Sequence, residues 1–500
     1  MSSETNTGPM IGQRHLQTFL LFMAIVVNYM GKFNAGVAIV AMTNAESSNP
    51  NFPEYDWSEM QRSYILSSFF WGYICTQFLG GWMNRRLGAR ITMFISTLGS
   101  SLLVLLPPWC VSWGGWQAYC GIRVAMGLFQ GLLFPCIHAH LANWCPVNER
   151  NRLGALANSG IDCGTLVAMF VSGVIASSSI GWPGIFYVSS GMGICWCIFW
   201  LLLGADTPRK SRLIGEAELN YIENSINSSR KEDTEKLKVT GRIPVPWKAI
   251  WTSVPFWALI FTRCCQTWGY STLQTELPAY MNGVLQMDMK KNALFSSLPY
   301  FASWIMAFVY LFIADILLTR GIMTITAIRK SINTLAFFTP AVTLIGVSFL
   351  DSDQKTLSVV LMCTNIGINA GSTIGSTINT IDLSPNHAGI IMGIVNTAAN
   401  IMPILTPLLV GVIVKDVTNR FEWQIVFIIS AVLFFVGNIV YLMFGQMVNQ
   451  PWDAPDFLSK QKDSHLQEEG HSKALEANKS QFLEDEKRKE SEATNENTDL

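Results

Sequence analysis

Charge is scarce in this chain: Asp, Glu, Lys and Arg together supply 14% of its 500 residues, against roughly 25% in an ordinary soluble domain. A chain so poor in charge cannot keep its own surface wet, which excludes a water-facing globule and implies one that faces lipid. An excess of either sign is lacking too. With 34 basic and 35 acidic residues, there is no cationic surplus to grip nucleic acid and no acidic surplus to form a solvating tail. Cys-x-x-Cys pairs are absent, so the 11 cysteines do not read as a metal site. Most lie in apolar runs, where they pack as small hydrophobes. Cys110 and Cys120 flank an expected outward loop, the one place where a disulfide is open. There is no Gly-rich loop ending in Gly-Lys-Ser/Thr and no nucleophile elbow, so neither ATP-driven pumping nor any other enzyme activity is indicated.

Long apolar runs are what the sequence does have. A membrane span needs about 20 apolar residues, and polar punctuation divides the chain into twelve such stretches. Six precede a polar break, at 16–42, 63–83, 91–111, 118–142, 153–177 and 183–204. Six follow it, at 254–281, 293–318, 327–349, 356–381, 388–414 and 423–444. The first stretch is longer than the apolar core of a signal peptide and is read as a retained span. The break at 206–246 is rich in Lys, Arg, Glu, Asp and Ser and reads as a watery linker with short surface helices. From 459 onward the chain is charged and reads as disordered. The expected organisation is a short N-terminus at 1–15, a six-helix bundle at 16–204, a linker at 205–250, a second six-helix bundle at 251–449 and a disordered tail at 450–500. This is an all-α membrane protein with twelve transmembrane helices in two pseudo-symmetric bundles, the sequence image of a duplicated transporter whose site lies where the halves meet.

Charge placement sets the expected orientation. Arg85, Arg86 and Arg90 follow the second stretch, Arg150 and Arg152 the fourth, and Arg320, Arg329 and Lys330 the eighth; all fall on the linker's side. Glu46, Glu54, Asp56 and Glu59 fall on the other. The positive-inside bias then puts both termini in the cytosol, where the sequons at Asn227 and Asn478 stay unglycosylated. A loose echo of duplication joins 81–90, after the second stretch, to 314–321, after the eighth.

A buried ionisable residue costs about 2.5–3.5 kcal/mol on insertion scales, so each needs a partner, a wet cavity or a route to the interface. Lys32 and Arg123 fall at nearly one depth and suggest an anion site. The alternatives are a snorkelling Lys32 and an Arg123 paired with a carbonyl or carboxylate. Arg263 is open between substrate contact and a gate salt bridge. Gln130 lies two turns beyond Arg123 on the same helix face, and His138 extends that polar stripe, either as a titrating group or as a hydrogen-bonded residue near the cytosolic end. Asp162, Glu276 and Asp382 are the carboxylates available for coupling, gating or salt bridges; Asp382, ahead of Leu-Ser-Pro385, also reads as a helix-ending lock. Asn365, Asn369, Asn379, Asn396 and Asn400 read as bonds between helices. Gly72, Gly81, Gly160 and Gly164 read as close-packing positions. Pro403 and Pro407 should bend their helix.

Several stretches resemble a known family. Residues 69–81, 123–135 and 144–152, with 268–270, 275–280, 381–385 and 389–393, are similar to the anion and sodium-phosphate cotransporters among the major facilitators. That family contains type I sodium-phosphate cotransporters, sialin and the vesicular glutamate transporters. The likeness covers nearly all of 16–452 and is strongest to insect inorganic phosphate cotransporters. It implies the major facilitator fold, with a small anion as partner alongside the lipid bilayer, and a monomer. The family's helix 4 arginine falls on Arg123, implying an anion ligand, and its helix 1 arginine falls on Lys32, which keeps charge without the bidentate fork. The helix 4 glutamate of proton-coupled members falls on Gln130, which favours Na+ or the membrane potential as the driving force. The extra arginine of the glutamate transporters falls on Gln266, which makes glutamate a poor fit, and the usual acid after helix 2 is Arg85. Apart from Na+ as coupling ion, no cofactor or metal is expected. The plasma membrane is favoured over a vesicle. An anion channel, a substrate-sensing receptor and a proton-coupled organelle carrier of the same fold remain as alternatives.

Overall fold

The structure is a computed structural model that describes residues 9, 11–146, 148–240, 245–454 and 457. Its long helical rods alternate about the linker. Before it come α1 (Gln13–Thr43), α2 (Glu59–Leu87), α3 (Ala89–Val104), α4 (Pro107–Trp144), α5 (Arg152–Ala176) and α6 (Gly181–Leu203). After it come α7 (Val254–Gly283), α8 (Met289–Thr319), α9 (Ile325–Ser348), α10 (Lys355–Leu383), α11 (Ala388–Ile413) and α12 (Arg420–Phe444). Among the described residues there is no strand, and nine rods are long and apolar enough to cross a membrane. The other three are α2 and α7, long but more polar, and the short apolar α3.

Local chemistry fixes several starts. Ser58 and Gln61 form a reciprocal capping box at α2, Asp288 and Thr324 accept from the first turns of α8 and α9, and Asn419 caps α12. Each satisfies amide donors that the helix itself leaves open. The loose sequence echo has a structural counterpart, because Gly88 after α2 (φ 85°) and Gly321 after α8 (φ 62°) both turn the chain in the left-handed region that suits glycine.

Packing repeats across the two halves. α1 packs on α5 and α6, α2 on α4, and α3 on α4 and α6; the same pairings recur as α7 on α11 and α12, α8 on α10, and α9 on α10 and α12. Between halves α2 meets α11 and α5 meets α8, contacts that a two-fold exchange of the bundles interchanges. Large apolar side chains such as Leu202, Phe312, Val342 and Val432 lie exposed on the outer surface, where only lipid would cover them cheaply.

The core is divided unequally between the two ends. On the face away from the linker, called here the loop face, one apolar cluster runs through both halves and includes Phe33, Ile65, Phe69, Met169, Leu277, Met289, Val410 and Trp423. Toward the linker face it splits. Leu21, Ile137 and Trp200 belong to a cluster within the first half, and Phe256, Ile391 and Tyr441 to one within the second. The hydrogen bonds that cross between halves follow the same division. Asn44 bonds Asn282, Met289 N–H donates to Ser47 O, Ser67 donates to Ile404 O, and Gln274 donates to Thr165. The deepest from the loop face run to Asp162. The molecule is therefore sealed at the loop face and parted at the linker face.

Several expectations need correction. The third stretch was expected to end at 111 and the fourth to begin at 118; instead α3 ends at Val104 and α4 begins at Pro107. Pro107 and Pro108 suit a first helical turn, where the missing N–H costs nothing, and the apparent loop is only a kink at Gly115 (φ 58°). Cys110 and Cys120 thus lie on one rod, and both are free thiols. The linker holds two short helical turns, Pro208–Lys210 and Trp247–Thr252, but between them runs one long helix, Glu216–Thr240, that was not expected. Its start docks on the first half, with Ile222 buried beside Trp144 and Ala205. Tail residues 450–454 are packed, not disordered: Trp452 and Asp453 are buried, and Asp453 accepts from Ser384, Asn386 and His387. The tail from 459 and Asn478 lie outside the described residues. Gly81 has open space around it; the close approach is made by Gly80, beside the backbone of Leu132. The other proposed packing glycines hold, since a Cβ on Gly72, Gly160 or Gly164 would strike backbone of a neighbouring rod.

Candidate functional site

Arg123 and Lys32 do meet. Arg123 on α4 is 3% exposed, and its guanidinium donates to three backbone carbonyls: Lys32 O at 2.9 Å, Ile65 O at 3.3 Å and Leu66 O at 3.5 Å. A guanidinium has five N–H groups, so these bonds do not exhaust it. No ion pair involves Arg123 or Lys32 among the described residues. The arginine also lines a narrow crevice inside the first half with Asn34, Tyr119, Met126 and Phe186.

Lys32 is held differently. Its ammonium lies 4.6–5.3 Å from the ring centres of Tyr29, Phe33, Phe69, Phe70 and Tyr73, a cage of π faces that favours a cation without neutralising it. Phe69 serves both charges, since the Arg123 Cζ stands 5.2 Å from the same ring. Single-residue reasoning passes over these rings, although their spacing on α1 and α2 is legible: Tyr29 and Phe33, like Phe69 and Tyr73, are one turn apart. Gln130 is buried beside α1, its Nε2 3.8 Å from where a Cβ on Gly31 would stand. His138 is exposed and makes no hydrogen bond among the described residues. The histidine that is bonded in this region is His140, buried against Gln17 and stacked on Trp144.

The second half contributes a separate polar chain. Arg263 donates to Gln266 at 3.0 Å, Gln266 to Asn369 at 2.9 Å, and Asn369 to Ala336 O at 2.9 Å. This is not the gate salt bridge that was open for Arg263, and it is not the Arg123 cluster. Asn365 bonds Pro340 O and Thr343, as a bond between helices should, whereas Asn400 bonds only its own helix. α11 is interrupted between Ala399 and Met402, directly ahead of Pro403, which is the expected bend.

The three carboxylates separate by environment. Asp382 is ion-paired to Arg329 at 2.9 Å, and Arg329 also donates to Ile374 O; this is the structural lock, joining α9 to α10. Glu276 is 6% exposed and its Oε1 has no partner; it lies near the loop-face end of α7, within electrostatic reach of the Glu59–Arg62 pair on α2. Asp162 on α5 accepts from Tyr270 on α7 at 3.1 Å and from Ser303 on α8 at 3.2 Å. It is the carboxylate of the three that bridges the halves through hydrogen bonds.

The family description of the Major Facilitator Superfamily matches residues 21–407. The chain belongs to that superfamily. It is 35% identical over 467 residues to a Drosophila melanogaster protein named "Putative inorganic phosphate cotransporter", covering 89% of this chain and 87% of the relative. It is 31% identical over 457 residues to vesicular glutamate transporter 1 of Bos taurus, covering 90% and 80%. These relatives place this facilitator with the anion and sodium-phosphate cotransporters that its motifs resemble. In fold it is similar to the inward open xylose transporter XylE from E. coli, at a TM-score of 0.64 and 12% identity over 89% of this chain and 98% of that one. This facilitator is thus an integral, multi-pass membrane protein related to anion transporters.

Proposed function

We propose that the chain is a secondary active transporter that moves inorganic phosphate or a small organic anion by alternating access, driven by a Na+ gradient or the membrane potential. The observation that carries this reading is Arg123: a buried guanidinium held by carbonyl oxygens and a ring, with no carboxylate paired to it among the described residues. Carbonyls solvate such a charge without cancelling it, so a visiting anion gains a full Coulombic attraction. Lys32 supplies a second positive charge at the same depth, and Gln130, Arg263 and Gln266 are available to orient the guest as the halves rock. His138, Glu276 and Asp382 then serve gating and structure.

The apolar seal through both halves at the loop face supports a rocking carrier over an open channel, because conduction needs a continuous wet path. The plasma membrane, cytosolic termini and a monomeric state complete the reading, the orientation resting on the positive-inside distribution. The test is uptake and one-for-one exchange of labelled phosphate and organic anions in proteoliposomes. Arg123→Ala should abolish both while the protein inserts at its normal level; full transport by that variant would overturn the assignment.

A further inference from the structure

The described spans carry unneutralised positive charge at Arg123 and Lys32, and a carboxylate without an ion pair at Asp162. The surroundings of that carboxylate come from three rods in both halves. Tyr270 and Ser303 of the second half donate to Asp162 Oδ1 at 3.1 and 3.2 Å. The Tyr300 hydroxyl, on a fully buried residue, has no partner, and its ring stands edge-on to Tyr270 at 6.5 Å. Tyr29 of α1 and the neighbouring Cys163 of α5 complete the groups within electrostatic reach, and Tyr29 is also a wall of the Lys32 cage. No lysine, arginine or histidine is ion-paired to Asp162 among the described residues. The cluster stands roughly 20 Å along α5 from the loop-face end, where the sealed layer gives way to the parted one. A carboxylate among hydroxyl oxygens is the donor set of a small hard cation, and the same carboxylate can take a proton.

We propose that Asp162, with the hydroxyls of Ser303, Tyr270 and Tyr300, is the coupling-cation site, binding the Na+ or proton that accompanies the anion and reporting its occupancy across the contact between the halves. This rests on the transport reading above and deepens it. The cation takes the Asp162 oxygen now engaged by the second half, so loading changes the contact that joins the bundles at the edge of their seal. Gln130 carries no titratable proton, so that residue does not duplicate this role.

The test uses the full chain in proteoliposomes, with labelled phosphate uptake measured under an imposed Na+ gradient at clamped pH, and separately under a proton gradient without Na+. One of these gradients should drive accumulation by the unaltered protein, which identifies the cation. Asp162→Asn should abolish accumulation under that gradient while one-for-one anion exchange persists at a reduced rate. Ser303→Ala and Tyr270→Phe, milder changes, should raise the half-saturating cation concentration several-fold. Accumulation by Asp162→Asn equal to that of the unaltered protein overturns the proposal, as does accumulation driven by voltage alone. Loss of exchange from Arg123→Ala is a separate readout, so the anion site and the cation site fail independently.

Discussion

Two arginines at different depths obey opposite rules. Arg329, where α9 meets α10 at the linker face, has its carboxylate: Asp382 at 2.9 Å, the pair only 11% and 17% exposed. Arg123, deep in the first half, has carbonyls and a ring. Neutralised charge holds helices together; charge merely solvated by fixed dipoles remains free to attract a guest. Arg123 thus stays open while Arg329 is spent on structure, although both halves share one packing scheme.

That contrast can be broken at the lock. Removing one partner from a shielded charge pair costs about 1.5–3 kcal/mol, so Asp382→Ala should lower the unfolding midpoint measurably in detergent. Exchanging the two residues, Arg329→Asp with Asp382→Arg, should recover much of the loss; a double variant no better than the single would show that Asp382 acts through something other than its charge. A smaller effect sharpens the other side. Phe69→Leu keeps apolar bulk but removes the ring shared by Lys32 and Arg123, and cation–π contacts are worth about 0.5–2 kcal/mol. Transport kinetics should show a several-fold rise in the apparent KM for anion with little change in folded yield.

The smallest effect concerns the linker. Burial opposes ionisation of Glu149, but the hydrogen bond and charge of Arg14, with a bond from Tyr221, hold its carboxyl below the ordinary value of 4.5. A depressed carboxylate contributes its stabilisation above the unfolded value and loses it as pH falls through the folded one. Docking of the linker helix, which Glu218 also secures through the first amides of α1, should therefore be constant at neutral pH. It should weaken only below about pH 4.5, read as protease access to 208–226. Release at pH 6 would refute this origin.

Much of this was legible in the chain because insertion into lipid is a demand on consecutive residues, and consecutive residues are what a sequence displays. The runs at 16–42, 183–204 and 423–444 fall within a few residues of α1, α6 and α12. The boundary near 107 was not legible, since Pro-Pro inside an apolar run can end one helix or begin another, and only packing decides. The convergence of Arg123 with Lys32 followed from depth alone. The Asp162 contact did not, because its partners at 270 and 303 are neutral hydroxyls, more than a hundred residues away, with no charge to mark them. Residues 450–454 misled for a simpler reason: Pro, Trp and Asp before a charged tail look unstructured unless His387 is known to be waiting.

Gly72 and Gly127 admit no side chain between α2 and α4, for a Cβ on either would lie 2.0 Å from a carbonyl oxygen of the other rod. Those rods consequently travel as one body, taking the shared ring and Arg123 with them, and the bond from Arg123 to Lys32 O draws α1 and its cation along. When the empty carrier resets, that body drags two elementary charges through part of the transmembrane field, at about 2.3 kcal/mol per charge per 100 mV for the whole drop. A loaded carrier, its guest cancelling some of that charge, does less electrical work. Voltage therefore weighs most heavily on the unladen half of the cycle.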